Sequence, residues 1–397
     1  MPTIDPAPLA RTPMLVAISD FRDGWPAERP DAPDPEILAE AWRSGRLGPP
    51  PGGLAGLGPA EVLVRGGYLE RLPLACVAHG LVEHAEIWHH WRPADPGPFS
   101  RDSAVLARRA FHLDDEHPPF RSASMLGFVQ AFGAPHILCV WGLGVDRALL
   151  DACRHSIKIY NSIDAPALRI PAEVSAGFDL IVTGAEWQSR EVRERHPEMA
   201  CAVMPIGPEF ADPDTFRPLG NTKIYDVIYV AAAQPYKRHD ILFDALARSP
   251  RRLKALCVFG YGEMADDLRR QAADRNLDID MVGPPGVGFD EVNRLMNLAR
   301  VGVVCGRDDG APAILTEYML AGLPVLANAG LTCGLQFITP ETGRVAEPEV
   351  FAEGLLDLLA IAPRLDPRAT VLARWTWPHT AERLAGLIRN IRTQRGL

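Results

Sequence analysis

Short apolar runs alternate with amphipathic helical stretches along almost the whole chain, and this alternation constrains the fold more than any other feature. In the first half, "MLVAIS", "EVLV", "LACVAH", "HILCVWG", "IKIYNSI" and "DLIVTGA" read as strands. Between them "PEILAEAWRSG", "SAVLARRAFHL" and "DRALLDACRHS" read as helices. Strands that are apolar on both faces need cover on both faces, which helices on either side of a parallel sheet supply. Near 207–222 the pattern stops at the Pro-, Asp- and Gly-rich "GPEFADPDTFRPLGNTK", which reads as a domain linker. It then restarts. "DVIYVAA", "ALCVFG", "DIDMVG", "VGVVCG" and "LPVLAN" alternate with helices near 240–248, 264–275, 289–299, 312–321 and 349–361. The 397 residues exceed what one ordinary core organises. The expected fold class is therefore α/β, with two doubly wound Rossmann-like domains in series, at 1–210 and 211–375.

Charge and composition narrow the function. The net charge is −9 with no long run of one sign, which argues against nucleic acid as the partner, because polyphosphate binding needs a basic face. The seven Cys form no CxxC pair and several sit in apolar runs, as in "LACVAH" and "VGVVCG", the pattern of a reduced, cytoplasmic protein. No apolar run is long enough to span a bilayer, and the Pro-rich start lacks the apolar core of a signal peptide. The final "WPHTAERLAGLIRNIRTQRGL" places Leu384, Leu387, Ile388 and Ile391 on one helical stripe with Arg opposite. A core-facing helix is the main reading. The other is a weak peripheral contact with the inner membrane face. "HGLVEHAEIWHHW" spaces His79, His84 and His89 by five, which neither shares a helical face nor matches zinc spacings. It reads as a surface loop or helix, with His79 at the end of a strand, and no metal site is expected. "HLDDEHPPF" reads as a charged loop, and "GPPPGGLAGLGPAEV" as a Gly/Pro loop.

Three stretches of the second half could carry chemistry. "DDGAPAILTEYMLAGLPVLA" begins with acid although it runs into a buried helix and strand. Pro312 suits a helical first turn, and Gly310, Ala311 and Ala313 leave the backbone there accessible. Ile314, Leu315, Tyr318, Met319 and Gly322 fall on one side, and Glu317, eight residues after Asp309, lies off that stripe. Two carboxylates then frame a helix N-terminus, which suits a ligand carrying both hydroxyls and phosphate. A capping role for Asp309 and a solvated Glu317 are the plainer alternatives. In "YVAAAQPYKRHDILFDAL", Lys237 and Arg238 stand at a helix N-terminus, against the macrodipole, and a bound diphosphate would compensate them. "VFGYGEMADDL" places Gly260 and Gly262 at a strand–helix turn, where a ligand can approach backbone. All three lie at C-terminal strand ends, the ligand side of open α/β sheets.

These stretches, in this order and together with "MPIGPEFADPDTFRP" before them and "GLPVLAN" after, resemble the donor-binding domain of retaining GT-B glycosyltransferases, particularly glycosyltransferase family four. That family carries two Glu separated by seven residues, with Gly after the first, and here Asp309, Gly310 and Glu317 match. The resemblance covers about 200–390 well and the first 200 residues loosely. It implies two domains facing across a cleft, with the helix at 376–397 packing back on the first. It implies a nucleotide-diphosphate sugar as donor substrate, no cofactor and no metal, and transfer to a glycan, lipid or small-molecule acceptor with retention of configuration, as a hexosyltransferase. Asp309 takes the sugar-contacting role and Lys237 the diphosphate, both as catalytic residues. Glu317 takes the ribose. Arg238, Gly262, Gly310, Ala311, Pro312 and Ala313 complete the donor site.

The chain departs from that pattern in places. The family's upstream Arg falls at about Ala232, Asp309 is one methylene shorter than Glu, and "DFRDGWPAERP" lacks the expected Gly pair. The usual His is not evident in "IKIYNSIDAP", so Asn161, Ser162 or Asp164, with His79, are the acceptor-side candidates. Two other readings stand beside this one. A non-catalytic sugar-nucleotide binder fits the missing Arg. An NAD-dependent Rossmann oxidoreductase fits Gly142-x-Gly144 followed by Asp164, although Arg147 occupies the third Gly position.

Overall fold

The structure, a computed structural model, describes residues 13–22, 62–92 and 99–396. The chain divides into two compact units, Met1–Met204 with Pro378–Leu397, and Pro205–Trp377. The helix "PEILAEAWRSG", the Gly/Pro loop before Val62 and most of "DFRDGWPAERP" lie outside the described residues.

In the first unit the elements run β1 (Met14–Arg22), α1 (Tyr68–Ala78), β2 (His84–Trp91), β3 (Phe99–Arg101), β4 (Leu106–His112), α2 (Ala123–Phe132), β5 (Ile137–Trp141) and α3 (Arg147–Ala152). They continue with β6 (Ile157–Asn161), α4 (Ala172–Ser175), β7 (Leu180–Thr183), α5 (Glu186–Arg195) and β8 (Ala200–Val203). The sheet order is β3-β4-β2-β1-β5-β6-β7-β8, parallel except for the β3 edge. The core residues Val16, Trp88, Leu138, Val140, Tyr160 and Ile181 are all essentially inaccessible, as expected of strands covered on both faces.

Four expectations for this half are corrected. "LACVAH" is the buried end of α1, because a short apolar run reads alike as a strand or a buried helix segment. "EVLV" has no strand at Val62–Val64. "SAVLARRAFHL" contains β4, and the His-rich stretch is β2, whose residues from His84 to His90 are all buried. Both strands carry polar side chains of a kind that is mostly exposed, whereas here the buried charges are paired. Arg109 donates to Glu86 (3.1 and 3.2 Å), which also accepts from Trp88 Nε1 (2.7 Å). Arg108 pairs with Asp102 (2.6 Å) and with Glu70. His89 Nδ1 meets Ser19 Oγ at 2.6 Å.

The second unit runs β9 (Tyr225–Val230), α6 (His239–Arg248), β10 (Ala255–Val258), α7 (Ala265–Asp274), β11 (Ile279–Val282), α8 (Phe289–Met296) and β12 (Ala299–Val304). It continues with α9 (Ile314–Leu320), β13 (Val325–Asn328), β14 (Gly343–Ala346), α10 (Phe351–Ile361) and α11 (Pro367–Arg374). The strands form a parallel sheet in the order β11-β10-β9-β12-β13-β14. The two-residue period of β9 splits the core. Val227 and Tyr229 join α6, α7 and α10 on one face, and Ile228 joins α8, α9 and α11 on the other. The stretch 207–222 is tightly held. Phe210 and Phe216 are buried, and the Arg368 guanidinium donates to the carbonyls of Phe216 (2.8 Å), Leu320 (2.6 Å) and Pro213 (3.1 Å).

The last helix, α12 (Trp377–Arg395), buries Leu384, Ala385, Ile388 and Ile391, and Leu387 is half-buried. Beyond Pro378 it belongs to the first unit, where Arg395 bonds Asp179 (3.1 Å) and the Ser156 carbonyl (2.8 Å). Among the described residues no helix is long and apolar enough to cross a membrane.

Candidate functional site

The order of the second sheet reverses at β9, whose neighbours are β10 on one side and β12 on the other. The loops leaving the C-terminal ends of β9 and β12 therefore diverge, and an open α/β sheet has its ligand crevice at such a switch point. Lys237 stands on the first of these loops and Asp309 on the second.

The β9 loop ends in a tight 3-10 turn, Pro235–Lys237, and Arg238 then takes left-handed backbone angles (φ 51°) to start α6. Tyr229, fully buried in β9, donates its hydroxyl to the Lys237 carbonyl (2.6 Å) and so ties the loop tip to the sheet. The β12 loop is held by Thr332, whose hydroxyl accepts from the Asp309 N–H (3.2 Å) and donates to the Arg307 carbonyl (2.9 Å). The Arg307 N–H reaches the Tyr236 carbonyl (3.2 Å) and joins the two loops. Across this junction the Lys237 ammonium and the Asp309 carboxylate form an ion pair, with side chains 15% and 13% exposed. Two residues that stood out separately in the sequence are thus each other's partner.

The neighbouring candidates divide. Arg238 spends its guanidinium on Asp240 (2.7 to 3.2 Å), which holds that carboxyl below the usual carboxylate range. Gly262 has φ +121°, and a Cβ there would lie 2.3 Å from the Ala233 carbonyl oxygen. Its role is to let the β10 loop close on the β9 loop, through Ala233 N–H to Tyr261 O (2.7 Å) and Met264 N–H to Ala233 O (3.0 Å). Gly310 bridges to Cys333, and Ala311 has φ +75°, an unusual conformation for a residue with a Cβ. Pro312 lies just before the helix, which starts after Ala313.

The helix itself corrects one expectation. Every residue of α9 from Leu315 to Leu320 is buried, Glu317 among them at 6% exposure, so burial is not confined to one stripe and the solvated alternative for Glu317 falls. α9 is enclosed because the 207–222 stretch covers its other side, with the Thr316 hydroxyl donating to the Pro208 carbonyl (2.8 Å). On the sheet side Tyr318 lies flat on Gly302, where a Cβ would meet the ring at 2.5 Å, and its hydroxyl accepts from Val230 N–H (2.6 Å).

Three features of this rim escaped the sequence reading. Arg307 is exposed and forms no ion pair among the described residues, and its signal was a cation two places before Asp309. Tyr236 and Tyr261 are exposed beside Lys237, at 38% and 62%. His239 is buried between Tyr229 (4.8 Å) and Phe259 (5.4 Å) with neither ring nitrogen hydrogen-bonded, and burial lowers its pKa to about 4. Ala232 is buried and small.

The first-unit candidates are all engaged. His79 caps the end of α1, not a strand, and its Nε2 meets Glu382 of α12 at 3.0 Å. Asn161 is buried at the end of β6, donating to the Val182 carbonyl (2.7 Å) and accepting from Ile163 N–H (2.9 Å). The Ser162 hydroxyl donates to the Asp164 carbonyl (3.2 Å), and the Asp164 carboxylate pairs with Arg169. Gly144 packs against Ile170, and Arg147 is spent on Asp151 (2.8 Å) and the Glu173 carbonyl (3.0 Å). No group of three or more metal-ligating side chains occurs among the described residues.

Residues 212–367, which contain this whole arrangement except the start of the preceding stretch, match the family model "Glycosyl transferases group 1". Among solved structures, sucrose-phosphate synthase (tll1590) from Thermosynechococcus elongatus is 15% identical with a TM-score of 0.65, over 96% of this chain and 100% of that one. Anabaena Alr3699/HepE in complex with UDP and glucose is 12% identical with a TM-score of 0.60, over 95% and 100%. The chain has the GT-B fold. The GT-B chain also resembles the pneumococcal O-GlcNAc transferase GtfA in complex with UDP and GlcNAc, at 12% identity and a TM-score of 0.53, over 68% of this chain and 61% of that longer one. No curated protein matches it in sequence.

Proposed function

We propose that this GT-B chain is a glycosyltransferase that takes a sugar from a nucleoside-diphosphate sugar and delivers it to a hydroxyl of a glycan, lipid or small-molecule acceptor. The observation that carries the reading is the meeting of Lys237 and Asp309 at the switch point of the second sheet, within the segment that matches the glycosyltransferase model. In the reaction the bond from the sugar's anomeric carbon to the diphosphate oxygen breaks and a bond to the acceptor oxygen forms. The acceptor proton passes to the leaving diphosphate, on the same face, which gives retention of configuration. Lys237 stabilises the charge that develops on the leaving group, and Arg307 adds a second cation where Ala232 supplies none. Asp309 accepts from sugar hydroxyls, and Glu317, in the first turn of α9, from the ribose. The acceptor side is assigned to the first unit, and the protein to the cytoplasm. This chemistry calls on no metal or cofactor.

The test is a thermal-shift screen against UDP, GDP, ADP and dTDP and their sugars, followed by donor hydrolysis or transfer. One base should raise the melting temperature by mass action, and Lys237→Ala should reduce the shift. A shift with NADH and with no nucleoside diphosphate would overturn the reading. The unused Ala232 position favours a second one, a binder without activity, which specific binding with neither hydrolysis nor transfer would establish.

A further inference from the structure

In the described structure the site's ammonium and its carboxylate neutralise each other, and both are mostly buried. A ligand that binds Lys237 has to take it from Asp309. We infer that this pair exchanges partners only for a ligand carrying both a diphosphate and a hydroxylated group, so that it selects the intact sugar nucleotide over the bare nucleoside diphosphate. The inference rests on the donor-site reading above and assigns that site its discrimination.

The reasoning is electrostatic. Breaking a largely buried ion pair by supplying a partner to one member leaves the other charged and unsatisfied. A bare diphosphate compensates Lys237 and leaves the Asp309 carboxylate beside its own negative charge. A sugar nucleotide compensates both, because its hydroxyls donate to the carboxylate while its phosphates take the ammonium. The backbone offers no easier escape. Tyr229 fixes the Lys237 carbonyl, Thr332 fixes the Asp309 N–H, and the Arg307 N–H to Tyr236 carbonyl bond links the two loops. The exchange is therefore one of side chains. Arg238 cannot relieve it, being committed to Asp240.

The experiment is calorimetry with the nucleoside diphosphate that best stabilises the wild type, and with its sugar conjugate, on the full chain. Asp309→Asn frees Lys237, so the bare diphosphate should bind about tenfold tighter, and the preference for the sugar conjugate should fall by at least that factor. Asp309→Ser should show the same sign, and serves if the Asn variant does not fold. Lys237→Ala should weaken both ligands, and in the Lys237→Ala background Asp309→Asn should lose most of its gain. If Asp309→Asn leaves the bare diphosphate unchanged or weaker while Lys237→Ala weakens it tenfold or more, the exchange is wrong and the donor site stands. If neither substitution alters binding, or no nucleoside diphosphate binds, the donor-site reading falls and takes the exchange with it.

Discussion

Gly260 and Gly262 look equivalent in "GYGEM", but they should respond to substitution in opposite ways. A Cβ on Gly262 would lie 2.3 Å from the Ala233 oxygen, 2.6 Å from its carbon and 2.7 Å from its nitrogen, all backbone, so the β9 loop would have to retreat. Reaching ordinary carbon contact at about 3.5 Å takes a shift of about 1 Å. Such a shift breaks the two hydrogen bonds between the loops, at 2.7 and 3.0 Å, each worth about 1 kcal/mol. The positive φ adds roughly 1–3 kcal/mol for any residue with a Cβ. The sum for Gly262→Ala is about 3–5 kcal/mol, or roughly 6–20 °C in melting temperature for a unit of this size. Gly260→Ala meets no atom within 4 Å, and should stay within about 0.5 kcal/mol of wild type. Scanning calorimetry on both variants gives the comparison, and ligand-induced shifts show whether moving Ala233, four residues before Lys237, also disturbs binding. A Gly262→Ala protein that melts within 2 °C of wild type, or a Gly260→Ala protein that loses as much, would refute the account of this turn.

Lys237→Ala should weaken nucleoside-diphosphate binding by about 1.5–3 kcal/mol, roughly ten- to 150-fold, and spare the nucleoside. Equal losses by calorimetry would remove Lys237 from the diphosphate. Glu317→Gln should lower the melting temperature of the ligand-free protein as well as its affinity, because the carboxylate is buried, with a cost of about 1–3 kcal/mol. An unchanged melting temperature would mean that Glu317 serves ligand alone. Burial lowers the pKa of His84, His90 and His239 to about 4, from 6.5 in the unfolded chain. Their stabilising contribution is complete above about pH 6.5 and is lost as pH falls toward 4, at about 1.4 kcal/mol per pH unit for each histidine. His239→Phe, which keeps an aromatic ring between Tyr229 and Phe259, should reduce that slope in urea titrations from pH 7 to 4.5, and an unchanged slope would contradict it.

What the sequence by itself determined is the pattern that needs only neighbours along the chain. The second unit's strands from β9 to β13 were legible because each is a short apolar-rich run between amphipathic helices, β11 with one polar residue, Asp280. β14, in "GRVA", was not, since four residues with an Arg carry too little periodicity. Lys237 stood out as a cation at a helix N-terminus, and Asp309 as an acid that opens an apolar segment. Only the tertiary structure decided that they pair with one another, 72 residues apart, and that Gly262 is demanded by Ala233. The same holds for Glu317, which reads as lying off the apolar stripe until the 207–222 stretch closes over α9, and for β2 and β4. In those strands Glu86, His89, Arg108 and Arg109 are buried because partners from other elements or strands satisfy them. Local periodicity reports the free energy of exposing apolar surface, which each residue carries with it. The burial of a charge depends on which opposite charge folding brings alongside, and no short window of sequence contains that partner.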